Sequence, residues 1–311
     1  MARWTSSLLP DLSERRVIIT GGNSGLGLEA ARALARRGAR LTLACRDLGK
    51  AHSAREELLR QTPDAEVELL ELDLADLASV RAAAASYRAR ESQLHVLLNN
   101  AGIMAIPRRE TADGFEMQLG TNHLGHFAFT ALLCEPLLAT QGARVVNVSS
   151  TAHKMGRMHW DDLHGQRSYG RWNAYAQSKL ANLLFAYELQ RRLAAAGSSA
   201  LSVAAHPGYA ATNLQFAEAR MRGSSSGERF WQLINGLFSQ SAEMGALPLL
   251  RAAGADGVAG GDYYGPDRLA ESRGHPVVVA ASRRARNLAD AARLWEESEQ
   301  LTGVRFEALA A

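Results

Sequence analysis

The sequence predicts an α/β fold, a doubly wound domain in which helices cover both faces of a parallel sheet of six or seven strands. Apolar runs of four to six residues alternate with longer segments of helical periodicity, and this alternation is typical of βαβ units. Parallel strands that are buried on both faces are expected to be apolar along their length. A chain of 311 residues with 47% hydrophobic residues can bury a large core without disulfides.

Seven apolar runs are the strand candidates, and seven segments of helical periodicity lie between or after them. The predicted strands are residues 17–20, 41–45, 67–72, 94–98, 145–149, 201–205 and 277–280. The predicted helices are residues 25–37, 48–61, 79–90, 115–138, 174–196, 242–253 and 283–299. In the last helix Leu288, Ala292 and Trp295 follow the spacing i, i+4, i+7, which predicts an apolar stripe packed on the sheet or on a partner subunit.

Composition and charge narrow the classes of function. The 35 Lys and Arg residues are spread among 32 Asp and Glu residues, with a net charge of +3, and this even mixture does not favour nucleic-acid binding. Only two cysteines are present, Cys45 and Cys134, so a disulfide framework is excluded and a reducing compartment, the cytoplasm, is expected. Residues 1–10 lack a signal-peptide core, and a glutamate and a proline interrupt the apolar segment 126–138, so we expect no membrane span.

A glycine-rich loop follows the first predicted strand and opens the first predicted helix. Residues 20–27 read TGGNSGLG. Gly21 allows a tight turn, Gly25 lets the backbone approach a pyrophosphate, and Gly27 permits close packing of the helix on the strand. Free N–H groups and the helix dipole attract an anion at such a loop. Its position between a strand and an amphipathic helix predicts a dinucleotide site, and the alternative is a plain glycine-rich turn.

The glycine spacing G-x-x-x-G-x-G and two later motifs are similar to those of one enzyme family. Residues 99–102 read NNAG after the fourth predicted strand, and Asp73 follows the third. With these motifs the chain resembles the short-chain dehydrogenases/reductases of the non-extended type, over about residues 16–208. The resemblance implies a single Rossmann-type domain over residues 1–311, a nicotinamide cofactor, and contact between Asp73 and its adenine.

Three segments of this expected single domain are given separate roles. Residues 1–15 are expected to be a lead-in, and residues 262–311 a tail that packs on the core. Residues 208–240 are expected to form a substrate loop or lid. The reason is that a stretch rich in Ser, Gly and Arg at 217–227 leads into an apolar patch at 230–238.

The end of the second predicted strand bears on the choice between NADP(H) and NAD(H). NAD-binding relatives carry an acid there that accepts the ribose hydroxyls, whereas this chain has Cys45 in that place, followed by Arg46. The guanidinium of Arg46, helped by Lys50, can bind the 2′-phosphate of NADP. NADP(H) is therefore the expected cofactor and NAD(H) the second choice. In the alternative interpretation Arg46 only faces solvent and Asp47 caps the next helix.

Tyr175 and Lys179 form a Y-x-x-x-K motif at the start of a long predicted helix. Residues four apart lie on one helix face, and an ammonium close to a phenol favours the phenolate, which otherwise needs a pH of about 10. Only three of the 35 basic residues are lysines, which argues that Lys179 supplies a compact charge. A surface cation–phenol pair is the alternative. Combined with the glycine loop, the motif predicts a proton-transferring tyrosine.

The fifth predicted strand delivers Ser149 and Ser150 to the sheet edge where ligands of open α/β folds bind. The resemblance assigns the substrate oxygen to Ser150, with Ser149 as the fallback. It also matches Asn122 to a helix-bending asparagine that holds a water in a proton relay to the lysine, and a purely structural asparagine is the alternative. The implied reaction is hydride transfer between nicotinamide and a carbonyl or alcohol, with Tyr175 as general acid and base.

The remaining expected contacts belong to the cofactor. Pro207, Gly208 and Thr212 match a P-G-x-x-x-T element that the family uses for the nicotinamide carboxamide, although His206 precedes the proline here. The expected catalytic residues are Asn122, Ser150, Tyr175 and Lys179. The residues expected to contact the cofactor are Gly21, Asn23, Ser24, Gly25, Leu26, Gly27, Arg46, Asp73, Leu74, Asn100, Ala101, Gly102, Tyr175, Lys179, Pro207, Gly208 and Thr212.

Ser150 and Tyr175 are 25 positions apart, farther than in compact members of the family. This connection resembles the branch of retinol dehydrogenases and WW-domain oxidoreductases, although no WW module or membrane anchor is recognised and retinoid specificity is not carried over. Five of its side chains, together with the apolar patch at 230–238, are candidates for an apolar substrate wall or for ordinary core or subunit packing: Met155, Met158, Trp160, Tyr169 and Trp172. Its three histidines have no cysteine or carboxylate at metal-ligand spacing, so no metal site is expected.

Two other functions remain as alternatives. A cofactor-sensing protein without turnover would not need all four catalytic residues, and an epimerase or dehydratase of the extended type is disfavoured by the glycine spacing and the length. Members of the family commonly pair through helices equivalent to residues 115–138 and 174–196, so a homodimer or homotetramer is expected. The expected partner is a small carbonyl or alcohol, with neither nucleic acid nor membrane.

Overall fold

One mostly parallel sheet organises the chain in the computed structural model, which describes residues 3–209 and 240–309. Its eight strands are β1 (Arg16–Thr20), β2 (Arg40–Cys45), β3 (Val67–Glu71), β4 (Val96–Asn99), β5 (Arg144–Val148), β6 (Leu201–Ala205), β7 (Tyr263–Arg268) and β8 (Arg273–Val278). Their order across the sheet is β3-β2-β1-β4-β5-β6-β7-β8. The first seven run parallel, and β8 pairs antiparallel with β7. The predicted α/β class and doubly wound sheet are confirmed.

The seven parallel strands agree with the prediction of six or seven, but the predicted last strand, residues 277–280, is not the seventh of them. β7 and β8 form an antiparallel hairpin, and β8 lies at Arg273–Val278 instead of residues 277–280. β7 was missed because Gly265 and Pro266 are poor strand formers. The hairpin accepts them because Pro266 lies opposite Pro276, next to a shift in register.

Nine α-helices connect the strands in the described residues. They are α1 (Gly25–Ala35), α2 (Leu48–Gln61), α3 (Leu77–Arg88), α4 (Met117–Leu119), α5 (Gly125–Leu132), α6 (Cys134–Leu138), α7 (Arg171–Ala195), α8 (Ala242–Gly254) and α9 (Leu288–Thr302). The single helix predicted for residues 115–138 is interrupted by a π turn at Gly120–Leu124 and again at Leu133. Pro136 explains the second break, because its ring clashes with the carbonyl four residues earlier, at the end of α5.

The helices cover both faces of the sheet. In β1, Val17 and Ile19 point to the face covered by α1, α2 and α8, whereas Ile18 points to the face covered by α3, α5, α7 and α9. This alternation follows from the two-residue period of a strand. The parallel strands are therefore apolar on both sides, as their sequences predict.

The last helix, α9, packs on α7 and α5. Trp295 is 2% exposed, its ring lies 5.3 Å from that of Phe127 and 4.4 Å from that of Phe306, and the Arg192 guanidinium stacks on it at 4.2 Å. The helices expected to pair two subunits are thus partly covered by α9 of the same chain.

The predicted stripe of α9 is partly wrong. Leu288 is 69% exposed because it is the first residue of the helix, directly after the Asn287 cap. Ala291, Leu294 and Trp295 form the buried face instead.

The strand order places a crevice at the carboxyl ends of β1 and β4. β1 pairs with β2 on one side and with β4 on the other, so the connections leaving these ends go to opposite faces of the sheet. Ligands of open α/β folds bind at such a switch point, and the glycine-rich loop begins there.

Candidate active site

The glycine-rich loop joins β1 to α1 with backbone conformations that favour glycine. Gly21 and Gly25 have φ angles of 65° and 54°, in the left-handed region that residues with a Cβ avoid. A Cβ at Gly27 would lie 2.4 Å from the carbonyl oxygen of Gly21. Ser24 caps α1 without a side-chain hydrogen bond to its first turn, so the first-turn amides keep their donors for an anion.

Thr20 ties the glycine-rich loop to the end of β4. Its hydroxyl accepts hydrogen bonds from the backbone amides of Asn100 and Ala101 at 2.9 and 3.0 Å, and the Asn100 side chain donates to the Thr20 carbonyl at 2.8 Å. His126 Nε2 lies 2.9 Å from the same hydroxyl, and burial lowers the pKa of His126 to about 4. Thr20 and His126 could not be recognised from the sequence, because this contact exists only once β1 and β4 lie side by side.

A cavity of about 410 Å³ runs along these strand ends. Fourteen predicted residues line it: Gly21, Asn23, Ser24, Gly25, Leu26, Arg46, Asp73, Leu74, Asn100, Ala101, Gly102, Tyr175, Lys179 and Pro207. Two further lining residues are Lys50, the expected helper of Arg46, and Ser149, the fallback for Ser150. The lining residues that were not predicted are Ala44, Cys45, Asp47, Leu72, Ile103, Thr121 and Val148. Four predicted residues, Gly27, Asn122, Ser150 and Gly208, do not line this cavity, and Thr212 lies outside the described residues.

One end of the cavity carries exposed cations. The Arg46 side chain is 75% exposed, and its Nη1 lies 3.8 Å from Asp73 Oδ2. Asp47 caps α2 by accepting a hydrogen bond from the Lys50 amide, and the Lys50 ammonium lies 2.6 Å from the Asp47 carboxylate. Capping by Asp47 thus occurs as in the alternative interpretation, while Arg46 still borders the cavity.

Tyr175 and Lys179 lie at the other end, on the first turns of α7. Tyr175 is 8% and Lys179 5% exposed, and the ammonium lies 5.8 Å from the centre of the phenol ring. Burial lowers the pKa of Lys179 to about 8, and Nζ donates a hydrogen bond to the Val148 carbonyl at 3.0 Å.

The acidity of Tyr175 differs from the expectation. Burial raises the pKa of the phenol, and the Ser150 hydroxyl opposes part of this rise. The expected lowering by Lys179 is not found, because the ammonium faces the ring and the Val148 carbonyl. The phenol therefore keeps its proton at neutral pH, the form that can protonate an alkoxide.

The two serines after β5 have different surroundings. Ser149 is 2% exposed, and its hydroxyl donates a hydrogen bond to the Lys179 carbonyl at 2.8 Å. Its proton is therefore already committed to a hydrogen bond within the protein. Ser150 is partly exposed, caps the 3-10 helix Thr151–Lys154, and influences the Tyr175 phenol. This arrangement favours Ser150 over the fallback, Ser149.

Asn122 is buried in the π turn and joins two segments. Its side chain accepts a hydrogen bond from the Ile103 amide at 2.8 Å and donates to the Ile103 carbonyl at 2.9 Å. It also donates to the Ser178 hydroxyl at 2.9 Å. A Cβ at Gly102 would lie 3.0 Å from Asn122 Oδ1 and 3.5 Å from Lys179 Nζ, so glycine permits the two side chains to approach the same spot.

The side chains of the long connection between Ser150 and α7 have different surroundings, and the patch at 230–238 that was expected to complete the apolar wall lies outside the described residues. Met158 and Trp160 pack against the core, and the Tyr169 hydroxyl bonds to buried Glu116 at 3.1 Å. Trp172 lies edge-on to Tyr175 at 6.2 Å, and Met155 is 71% exposed. In the part of the chain that the structure describes, no cluster of side chains could hold a metal ion.

Comparison with known proteins identifies the family. The sequence model of the short chain dehydrogenases matches residues 15–222. The chain belongs to this family. Human retinol dehydrogenase 12 is 44% identical over 94% of this chain and 87% of its own, and mouse polyprenol dehydrogenase is 40% identical over 95% and 86%. The crystal structure of an uncharacterised protein from Mycobacterium paratuberculosis has a TM-score of 0.80 and 46% identity, covering 98% of this chain and 99% of that one.

Within the short-chain dehydrogenases, the chain falls in the retinol dehydrogenase branch. It is therefore an oxidoreductase that acts on alcohol or carbonyl groups of small molecules with a nicotinamide cofactor. Among residues 3–209 and 240–309, none of the helices combines the length and hydropathy that a membrane span requires.

Proposed function

We propose that this chain is an NADP(H)-dependent oxidoreductase for hydrophobic carbonyls and alcohols, with Tyr175 as general acid and base. The observation that carries the proposal is that Tyr175 and Lys179 line the same cavity as the glycine-rich loop. The loop's glycines and first-turn amides fit a pyrophosphate, and the cations at the far end fit a phosphate. When bound, the nicotinamide supplies or accepts the hydride.

In the direction of reduction, Tyr175 gives its proton to the oxygen that becomes an alkoxide as hydride reaches the carbonyl carbon. Burial keeps this phenol protonated. Ser150 donates a hydrogen bond to the same oxygen and polarises it. The Lys179 ammonium lies over the Tyr175 ring and would hold the ribose of a bound cofactor, and Asn122 would hold the water that relays protons to it. In oxidation, the phenolate of Tyr175 takes the proton from the alcohol, so in this direction the phenol must first lose its own proton to solvent.

Arg46 supports NADP(H) over NAD(H). Its largely exposed guanidinium at the cavity edge can form charge-assisted hydrogen bonds to a 2′-phosphate. We expect Arg46→Ala to raise the KM for NADPH at least about tenfold and that for NADH less than about twofold. Arg55→Ala, an exposed residue of α2 away from the cavity, is the matched control. Equal changes for both cofactors would contradict the assignment.

A carbonyl panel tests the proposed reaction. Two of the relatives are named for retinol and polyprenol, which are long apolar alcohols, and Trp172 offers apolar surface next to Tyr175. The purified chain with NADPH should reduce all-trans-retinal or nonanal, measured by the loss of absorbance of reduced nicotinamide. Tight NADPH binding without any turnover would favour the cofactor-sensing alternative.

The two serines give a paired prediction. We expect Ser150→Ala to lower kcat/KM about 10²-fold, because it removes a donor to the developing oxyanion. Ser149→Ala should lower it no more than about threefold, because that hydroxyl donates to the Lys179 carbonyl. Steady-state kinetics with nonanal measure both. The reverse ranking would transfer the role to Ser149.

Three further expectations belong to this proposal. The chain acts as one domain over residues 1–311, with residues 208–240 serving the substrate, although 210–239 lie outside the described residues. It works in a reducing compartment, the cytoplasm, where buried Cys45 and Cys134 remain thiols. A homodimer or homotetramer would pair mainly through surfaces that α9 leaves open on this chain.

A further inference from the structure

The carboxylate of Glu271, in the turn between β7 and β8, bridges two segments next to Ser150. Its Oε1 accepts a hydrogen bond from Lys154 Nζ at 2.9 Å, and its Oε2 lies 3.2 Å from His206 Nε2. The Glu271 side chain is 22% exposed and that of His206 is fully buried. Oε2 of Glu271 and Nε2 of His206 have no other hydrogen-bond partner in the described residues, so the two atoms face each other as the nearest polar pair.

Lys154 connects this carboxylate to Ser150. It is the last residue of the short 3-10 helix that Ser150 caps, and His153, one position earlier, bonds through Nδ1 to the Ser150 carbonyl at 2.6 Å. His153 Nε2 accepts from the Ser282 amide, which fixes the proton on Nδ1. A displacement of Lys154 would therefore shift this 3-10 helix and, with it, the position of Ser150.

His206 anchors the carboxylate to the sheet. It directly follows β6, and its amide donates to the Tyr264 carbonyl of β7 at 2.9 Å. The Gly208 amide lies 3.2 Å from Nδ1 of His206 and donates to it, so the ring proton is on Nε2, toward Glu271. The ring of Tyr263 lies against both His206 and His153, at 5.2 and 5.6 Å.

The turn that carries Glu271 has an unfavourable backbone. Leu269, Ala270 and Glu271 have φ angles of 48°, 52° and 66°, and residues with a Cβ rarely adopt the left-handed region in succession. The turn is held by the Ser272 carbonyl, which accepts from the Tyr209 amide at 2.7 Å. Such conformations persist only where the surroundings fix them, and they are concentrated near functional sites.

We propose that Glu271 is a positioning residue, which ties Ser150 through Lys154 to the sheet end at His206. This inference rests on the proposed function, in which Ser150 polarises the substrate oxygen. It also explains why position 154 is occupied by one of the chain's three lysines. The Lys154 ammonium has to reach the Glu271 carboxylate, which His206 faces from the other side. Without the carboxylate, the helix at Ser150 loses its tether and the hydroxyl moves relative to Tyr175.

A double-mutant cycle with nonanal and NADPH tests this role. Glu271→Gln should lower kcat about tenfold, as expected for a displaced polarising group, and leave the NADPH Kd within about twofold. In the Ser150→Ala background the same substitution should cost less than about twofold, because the residue through which it acts is already gone. Lys154→Met should resemble Glu271→Gln, and Lys154→Arg should restore most of the activity.

Glu91→Gln is the matched control. It removes a partly buried carboxylate that pairs with Arg16 at 2.5 Å, near the opposite end of β1 from the crevice, and it should leave kcat unchanged in both backgrounds. The inference would be overturned if Glu271→Gln kept wild-type kcat, or if its loss were equally large without the Ser150 hydroxyl. Failure of the proposed function would look different, because the wild-type chain itself would then reduce neither nonanal nor retinal.

Discussion

Tyr175→Phe should lower kcat for carbonyl reduction by about 10³-fold or more, because it removes the proton donor and nothing else. The phenol is 8% exposed and packs with Ala152, Ala176 and Met104, contacts that a phenyl ring of the same shape retains. The NADPH Kd should stay within about twofold, since the glycine-rich loop and Arg46 are untouched. Fluorescence titration gives the Kd, and single-turnover mixing with nonanal gives the rate.

The matched control for this prediction is Tyr187→Phe. Tyr187 lies on the same helix, α7, and does not line the cavity. Its substitution should leave kcat within about twofold of wild type. If Tyr175→Phe kept substantial turnover, the general acid would be another group, and the proposed function would lose the observation on which it rests.

Much of the fold could be predicted because its signals are local. The apolar runs of β1 to β6 and the periodic segments after them need no knowledge of distant residues. β7 could not be found in this way, because its Gly265 serves a tertiary contact. A Cβ there would lie 2.1 Å from Nε2 of His206. Gly265 makes β7 look like a weak strand in the sequence, but the glycine is needed there because β7 passes close to His206 at the end of β6.

The residues of the candidate site also fall into those that a local motif predicts and those whose contacts depend on the whole fold. The glycine-rich loop, Tyr175 and Lys179 were predictable because each motif lies within one turn or one stretch of helix. Thr20 with His126, and Lys154 with Glu271, could not be paired from the sequence, because their proximity depends on strand order and on the β7–β8 hairpin. The direction of the Tyr175 pKa was also wrong for this reason: spacing predicts a cation nearby, but burial is set by the whole fold.

Lys179→Met should abolish most activity without lowering the unfolding temperature at pH 7. Burial lowers the pKa of Lys179 to about 8 from 10.5, so the folded chain holds its proton less tightly than the unfolded chain does. Between pH 8 and 10.5 the unfolded state binds more protons at this residue, and the contribution of Lys179 to stability therefore rises with pH across this window. At pH 7 the buried ammonium costs about 3 kcal/mol relative to its high-pH limit, to order of magnitude.

Methionine removes this charge and keeps an unbranched stem. The Val148 carbonyl loses the bond from Nζ but still accepts one from Asn182 at 3.0 Å, so the loss is about 1 kcal/mol and smaller than the relief. We expect the variant to unfold at the wild-type temperature or above it at pH 7, and its stability advantage over the wild type to shrink as the pH rises from 8 to 10.5. Calorimetry across this pH range measures both. Lys50→Met, which removes a 75% exposed side chain, should leave the wild-type pH dependence intact.

The same variant should lose about 10³-fold in kcat, because the ammonium that borders the Tyr175 ring and the cofactor cavity is gone. A chain that gains stability while losing turnover would show that the buried charge is kept for chemistry, since selection for stability alone would replace it. A lower unfolding temperature at pH 7 would instead make Lys179 a stabilising residue. Retained turnover would remove it from the reaction, whatever its effect on stability.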